Sequence, residues 1–201
     1  MKKLTAKINK VVLLLTMSDV FSWGPLIIIS SLSSIYLADR LGSDTIEFVG
    51  IGTGIYYITR ALFQIPVGKF TDKLKKDKDE IAILVIGTLL MGLPYILYPS
   101  INHAYQYYIL QFIFGLGVSL NIVNWRKLFA LNIGEGMEGE EYALYDTILS
   151  ISTAILSIIL GLIANLGDTY FNIVMITSGV IMMSASVWVL LIATIKRRKS
   201  R

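Results

Sequence analysis

Six long apolar stretches separated by short polar loops decide which folds are open to this chain. They run over residues 11–37, 46–68, 81–100, 105–131, 142–165 and 169–195, each at or above the ~20 residues a helix needs to cross the hydrocarbon core. In lipid every backbone N–H and C=O must be satisfied internally, and segments of this length manage that only as helices. The reading is an all-α integral membrane protein with six transmembrane helices, forming one domain over residues 1–201. With 55% hydrophobic residues, the spans consume nearly the whole chain and leave no segment to fold as a soluble domain, so any function sits in the membrane. The first stretch follows Lys2, Lys3, Lys7 and Lys10. It outruns a signal-peptide core, carries Asp19 and has no evident cleavage site, so it reads as a retained helix.

The basic residues set the orientation. Sixteen of the 18 Lys and Arg fall at the N-terminus, in the loop after the second stretch (Lys69, Lys73, Lys75, Lys76, Lys78), after the fourth (Arg126, Lys127) or in the tail. The opposite loops hold only Arg40, and Arg60 lies inside a helix. The positive-inside rule then places both termini in the cytoplasm, as an even number of spans requires, in the cell inner (plasma) membrane. The net charge of +4 is a product of this topology, and the basic tail reads as an anchor attracted to anionic lipid. The expected partner is the bilayer and no nucleic acid is implied. Cysteine is absent and the one histidine, His103, falls in a short outer loop, so no metal or cofactor is expected.

Polar side chains inside a membrane are costly and usually face the bundle interior or a watery cavity. Helix one carries Ser18, Asp19, Ser22 and serines between Ser30 and Ser34. Helix two carries Arg60 and Gln64, helix four Gln111, Asn121 and Asn124, and helix five Asp146. Helices three and six carry no charge. This predicts four inner helices (one, two, four, five) and two outer ones, a pattern that hints at a 3+3 inverted repeat. Gly50, Gly52, Gly54, Gly115 and Gly117 suit close helix approach, and Pro25, Pro66 and Pro94 suit kinks.

The loop after helix two reads Gly68-Lys-Phe-Thr-Asp72-Lys73-Leu-Lys-Lys76. It resembles the Gly-x-Leu-Ala-Asp-Arg-x-Gly-Arg-Lys signature of the major facilitator superfamily of transporters, departing from it where Lys75 replaces the second glycine and Asp77 the last basic residue. In physical terms Gly68 would allow close contact, Asp72 would favour a helix N-terminus or a cation, and Lys73 and Lys76 would hold the loop inside. Gln111, Gly115 and Gly117 are similar to the family's Arg-x-x-x-Gly-x-Gly pattern, with glutamine in the arginine position. Asn121, Asn124, Trp125 and Arg126, then Glu140-Glu141-Tyr-Ala-Leu-Tyr-Asp146-Thr, are similar to the four-to-five connection of many members. The resemblance implies a half bundle of the family's type, since typical members have twelve helices in two six-helix domains. A parallel homodimer would reproduce the two halves; a second half-transporter chain is the alternative.

Asp19 lies about 12 Å into helix one at ~1.5 Å per residue, with Arg60 at a similar height on helix two, so the two are natural partners. They form either a structural ion pair or a coupling site in which Asp19 takes up a proton or a cationic solute. Arg126 and Asp146, joined by Asp72, would form an inner-end cluster tying helices two, four and five together. Gln64, Gln111, Asn121 and Asn124 would hydrogen-bond either solute or neighbouring helices. Trp23, Tyr56, Tyr57, Phe63, Phe112 and Phe114 are candidates for an aromatic lining. Tyr95, Tyr98, Tyr105, Tyr107 and Tyr108 read as an interfacial belt. The function expected is secondary transport of a small organic solute by alternating access, coupled to protons. The alternative is a non-transporting membrane module that assembles with a partner. There is no nucleotide-binding loop, and an enzyme is not expected: Gly115-Leu-Gly-Val-Ser119 lacks a nucleophile elbow and no helical histidine stands by as base.

Overall fold

A computed structural model describes residues 9–74 and 77–195. Among these residues the chain is all helix and turn, with no strand. The elements are α1 (Lys10–Leu41), a 3-10 turn (Gly42–Asp44), α2 (Thr45–Asp72), α3 (Asp77–Leu97), a second 3-10 turn (Tyr98–Ser100), α4 (Ala104–Asn132), α5 (Glu138–Ala164) and α6 (Asp168–Ile192). Five helical stretches are long and apolar enough to cross a membrane, and the first of them, Lys10–Asp72, contains both α1 and α2 with the turn between them.

Local chemistry explains where these helices start and stop. The Asn9 side chain accepts from Val11 N at 2.9 Å and caps α1, satisfying one of the free N–H groups of a helix start. Its amide also donates to the Asn132 carbonyl at 2.7 Å, which ties the start of α1 to the end of α4. At the other end α1 stops at Gly42, whose φ of +78° is a left-handed conformation that glycine takes without a Cβ penalty. Thr45 Oγ1 then donates to the Gly42 carbonyl at 2.7 Å and the chain reverses into α2. Before α4, Gln106 Oε1 accepts from His103 N at 3.0 Å and Asn102 N at 2.7 Å.

The helices pack in a defined order: α2 on α4, α4 on α3, α3 on α6, α6 on α1, and α1 on α5. Lipid tails are as apolar as leucine, so association relies on close packing and small residues more than on hydrophobicity. The tightest crossing is α3 on α6. A Cβ on Gly179 would lie 2.7 Å from the Gly92 carbonyl and one on Gly92 would overlap the Gly179 carbonyl, so both positions admit only glycine. On α4, a Cβ at Gly115 would lie 2.8 Å from the Tyr56 carbonyl of α2, and one at Gly117 would lie 2.9 Å from Leu90 and Met91 of α3. Gly52 makes room for the Tyr107 ring. Of the glycines expected at contacts, Gly50 and Gly54 touch nothing. They lie on either side of Gly52, and two residues along a helix is a rotation of about 200°.

α3 and α6 lie back to back at the middle of the packing order, whereas α2 and α5 stand at its two ends. Their outward faces expose Leu62, Ile65, Ile158 and Leu162.

The core is in two parts. One holds Tyr36, Met91, Tyr95, Tyr98, Tyr107, Phe114 and Met182; the other holds Val12, Leu15, Leu84, Trp125, Phe129, Val189 and Ile192. Between them along the helices runs a buried polar layer: Ser18, Asp19 and Ser22 on α1, Thr88 on α3, Asn121 on α4 and Ser186 on α6.

Candidate functional site

The polar layer is the least expected place for a carboxylate, and Asp19 is the one it contains. Its side chain is 3% exposed. Tyr145 of α5 donates its hydroxyl to Asp19 Oδ2 at 2.7 Å, while Oδ1 has no partner. The expected pair with Arg60 is not made. Arg60 instead donates to the Tyr56 hydroxyl one turn back on α2, at 3.1 Å, and α1 touches α2 far less than it touches α5 and α6. A residue four positions away on the same helix is within reach whatever the bundle does.

Asp19 lines a cavity of about 240 Å³ together with Trp23, Asn121, Trp125, Arg126 and Tyr145. α1, α4 and α5 build it. Asn121 donates to Thr88 Oγ1 at 3.0 Å, which locks α4 to α3, and its Oδ1 is left without a partner. Trp125 donates its indole N–H to the Leu15 carbonyl at 3.1 Å, fixing α4 against α1, and its ring stacks on Phe129 at 4.6 Å. The cavity therefore has rigid aromatic walls and two buried oxygens, on Asp19 and Asn121, with unused accepting capacity. Such a site suits a proton or a hydrogen-bond donor with positive charge.

A second cavity, of about 320 Å³, lies among α1, α2, α3 and α4 and shares Trp23 and Ile27 with the first. Trp23, Tyr56, Tyr57 and Phe114 line it as candidates from the sequence, and Gln111 joins them. Phe63 and Phe112 do not line it: they pack edge to face on each other at 6.4 Å. The interfacial-belt reading is corrected for three tyrosines. Tyr95, Tyr98 and Tyr107 are buried and line this cavity, with Tyr95 stacked on Tyr98 at 5.1 Å. Tyr105 alone of the five is strongly exposed. A tyrosine near a helix end has the same composition signal whether it turns to the headgroups or to the bundle.

Of the remaining candidates, Asn124 is fully buried and donates to the Leu120 carbonyl of its own helix at 2.7 Å. Gln64 is half-buried and lines neither cavity. Arg126 and Asp146 are both exposed and form no ion pair among the described residues. The inner-end cluster is built one residue further on. Lys127 bridges to Glu80 Oε1 at 2.9 Å and to Asp72 Oδ1 at 3.3 Å, and donates to the Thr71 carbonyl at 3.1 Å. One residue turns a helix by about 100°, so Lys127 faces α2 and α3 while Arg126 faces the acid cavity. A Cβ added at Gly68 would lie 3.8 Å from a Val123 methyl, an ordinary contact, so space does not demand glycine there. Lys73 caps α2 through its backbone N–H with its side chain exposed. Lys76 lies outside the described residues.

Tyr145, Trp125, Thr88, Glu80 and Lys127 were not picked out as partners from the sequence. Tyr145 and Trp125 carried a signal, since both stand in the stretches that resemble the family's four-to-five connection.

A bundle of apolar helices with an incompletely satisfied carboxylate beside an open-sided cavity defines a helical membrane protein with polar groups withdrawn among its spans. The family model of the Major Facilitator Superfamily matches residues 12–201, and the chain belongs to that superfamily, whose members are transporters. No curated protein and no solved structure matches it.

Proposed function

We propose that the chain is a six-span unit of a secondary transporter that moves a small organic solute by alternating access, with proton coupling through Asp19. One observation carries this reading. A carboxylate in the buried polar layer, with Oδ1 unpartnered and a cavity beside it, is held ready for a proton or cation.

The remaining parts of the proposal have their own support. α1 and α2 have 32 and 28 residues, each enough to span the core separately at ~1.5 Å per residue. An inverted 3+3 repeat pairs α1 with α4, α2 with α5 and α3 with α6. Under that exchange the α1–α5 and α1–α6 packings turn into α4–α2 and α4–α3, and both sets are present. Lys10, Lys69, Lys73, Lys78, Arg126 and Lys127 all lie toward the end where α1 starts and α4 finishes, and Arg40 lies at the other, in keeping with cytoplasmic termini in the inner membrane. A parallel homodimer would place the exposed faces of α2 and α5 against a second copy.

Purified protein in proteoliposomes, with an imposed pH gradient, tests the reading. Solute flux that depends on the gradient and on Asp19 is expected, from particles with the protein mass of two chains. Gradient-independent behaviour with a strictly monomeric mass would favour the second reading, a module that works only with a partner protein. Gln111 standing where family members often carry arginine is what favours it.

A further inference from the structure

The two cavities differ in chemistry, and the difference narrows the solute. Among the described residues, none that line the larger cavity carries a formal charge. Arg60, the nearest cation in sequence to its Tyr56 wall, directs Nη1 to the Tyr56 hydroxyl. An ion entering this cavity would exchange its hydration for an uncharged aromatic wall, which is unfavourable without a counter-charge. A neutral molecule meets no such penalty.

The hydrogen-bonding groups narrow the class further. Ser30 Oγ donates to the Ile27 carbonyl and Ser33 Oγ to the Ser30 carbonyl, each at 2.9 Å. Their protons are used, so along the α1 edge they offer accepting lone pairs. Gln111 spends an N–H on the Tyr98 hydroxyl at 3.2 Å and keeps its carbonyl oxygen as an acceptor. The Tyr56 hydroxyl accepts from Arg60 and keeps its own proton to donate, so a neutral solute seated here must both donate and accept, and hydroxyl groups do that. The rest of the wall is ring surface from Trp23, Tyr56, Tyr95, Tyr107 and Phe114, which favours a flat ring over a flexible chain. Its volume, about 320 Å³, lies at the small end of the usual range for ligand sites.

We infer that this cavity takes an uncharged, hydroxyl-bearing ring compound, and that Trp23 and Ile27 separate it from the acid cavity. Solute and proton then have different seats, on the two sides of one tryptophan. The inference rests on the transporter reading for its physiological meaning but not for its test.

The test is thermal stabilisation of the whole chain in lipid nanodiscs by three phenols of matched size: neutral 4-hydroxybenzyl alcohol, cationic tyramine and anionic 4-hydroxyphenylacetate. Glucose serves as the saccharide arm. The expected result is stabilisation by a neutral compound, aromatic or saccharide, and by neither ion. Gln111→Leu and Tyr98→Phe should each weaken that binding about tenfold, the loss of one well-made hydrogen bond. Gln111 is only half-buried, so that variant should fold even if Tyr98→Phe does not. Preference for tyramine that vanishes in Asp19→Asn would overturn the inference and move the ligand to the acid cavity. Binding by none of the four compounds, or binding indifferent to Gln111→Leu, would also overturn it. Gln111-dependent binding without flux in vesicles would instead sink the transporter reading and leave this site standing.

Discussion

Asp19 and Glu80 are both withdrawn from the protein surface, at 3% and 8% exposure, yet the fold treats them in opposite ways. Glu80, in the first turn of α3, is met by the Lys127 ammonium at 2.9 Å. Asp19, in the layer between the two apolar cores, is met by a neutral hydroxyl, and among the described residues no cation pairs with it, although Arg126 lines the same cavity. Helix ends lie near water and headgroups, where a lysine can reach a carboxylate and still be solvated. At mid-helix a cation must be supplied by a neighbouring helix, and the one on α2, Arg60, is committed to Tyr56. Glu80 is thereby tied to α4, whereas Asp19, under the proposed function, is the group that changes its charge.

The largest effect that would break this contrast is in transport. Asp19→Asn should reduce gradient-driven solute flux to that of empty vesicles while the melting temperature in nanodiscs stays level or rises, because an incompletely satisfied buried carboxyl has been replaced by an amide of the same shape. Retained coupling in that variant would take Asp19 out of the mechanism.

Next comes Lys127→Met, which strands Glu80 without its cation. A loss of about 2 kcal/mol is expected, below the full cost of breaking a deeply buried pair because Lys127 is partly exposed. The double variant with Glu80→Gln should recover part of the lost melting temperature. An unchanged melting temperature in the single variant would mean that the pair does not hold α3 to α4.

Tyr145→Phe removes the hydroxyl from Asp19 and should cost about 1 kcal/mol, as membrane hydrogen bonds do. Flux should slow without being lost, which initial rates in vesicles would measure. Smallest of all is Asp72→Asn. Its side chain is 75% exposed, so a change within about 0.5 kcal/mol is expected. A larger loss there would show that the loop motif contributes more than its geometry suggests.

How far the sequence carried the reading can be judged residue by residue. Asp19 was legible because a carboxylate in an apolar span is conspicuous in any register. Its partner was not, because Asp19–Arg60 and Asp19–Tyr145 are equally allowed until the order of helices around α1 is known. Arg126 and Lys127 show the same limit on a finer scale. Adjacent basic residues look interchangeable in a loop-end motif, but the helix turns them about 100° apart and only Lys127 reaches Asp72 and Glu80. The tyrosines near the ends of α3 and α4 were misplaced for a related reason, since an aromatic with a hydroxyl suits both the headgroup layer and an inward-facing cavity.

Apolar length, charge asymmetry and the signature after α2 determined by themselves that the chain is a helical membrane protein resembling the major facilitator superfamily, since burial in lipid constrains composition directly. Only the tertiary structure decided that α3 and α6 form the spine, that Asp19 answers to Tyr145, and that a charge-free aromatic cavity adjoins an acid one. Those facts depend on helix order and rotation, which arise from contacts such as Gly92 with Gly179 between residues distant in the chain.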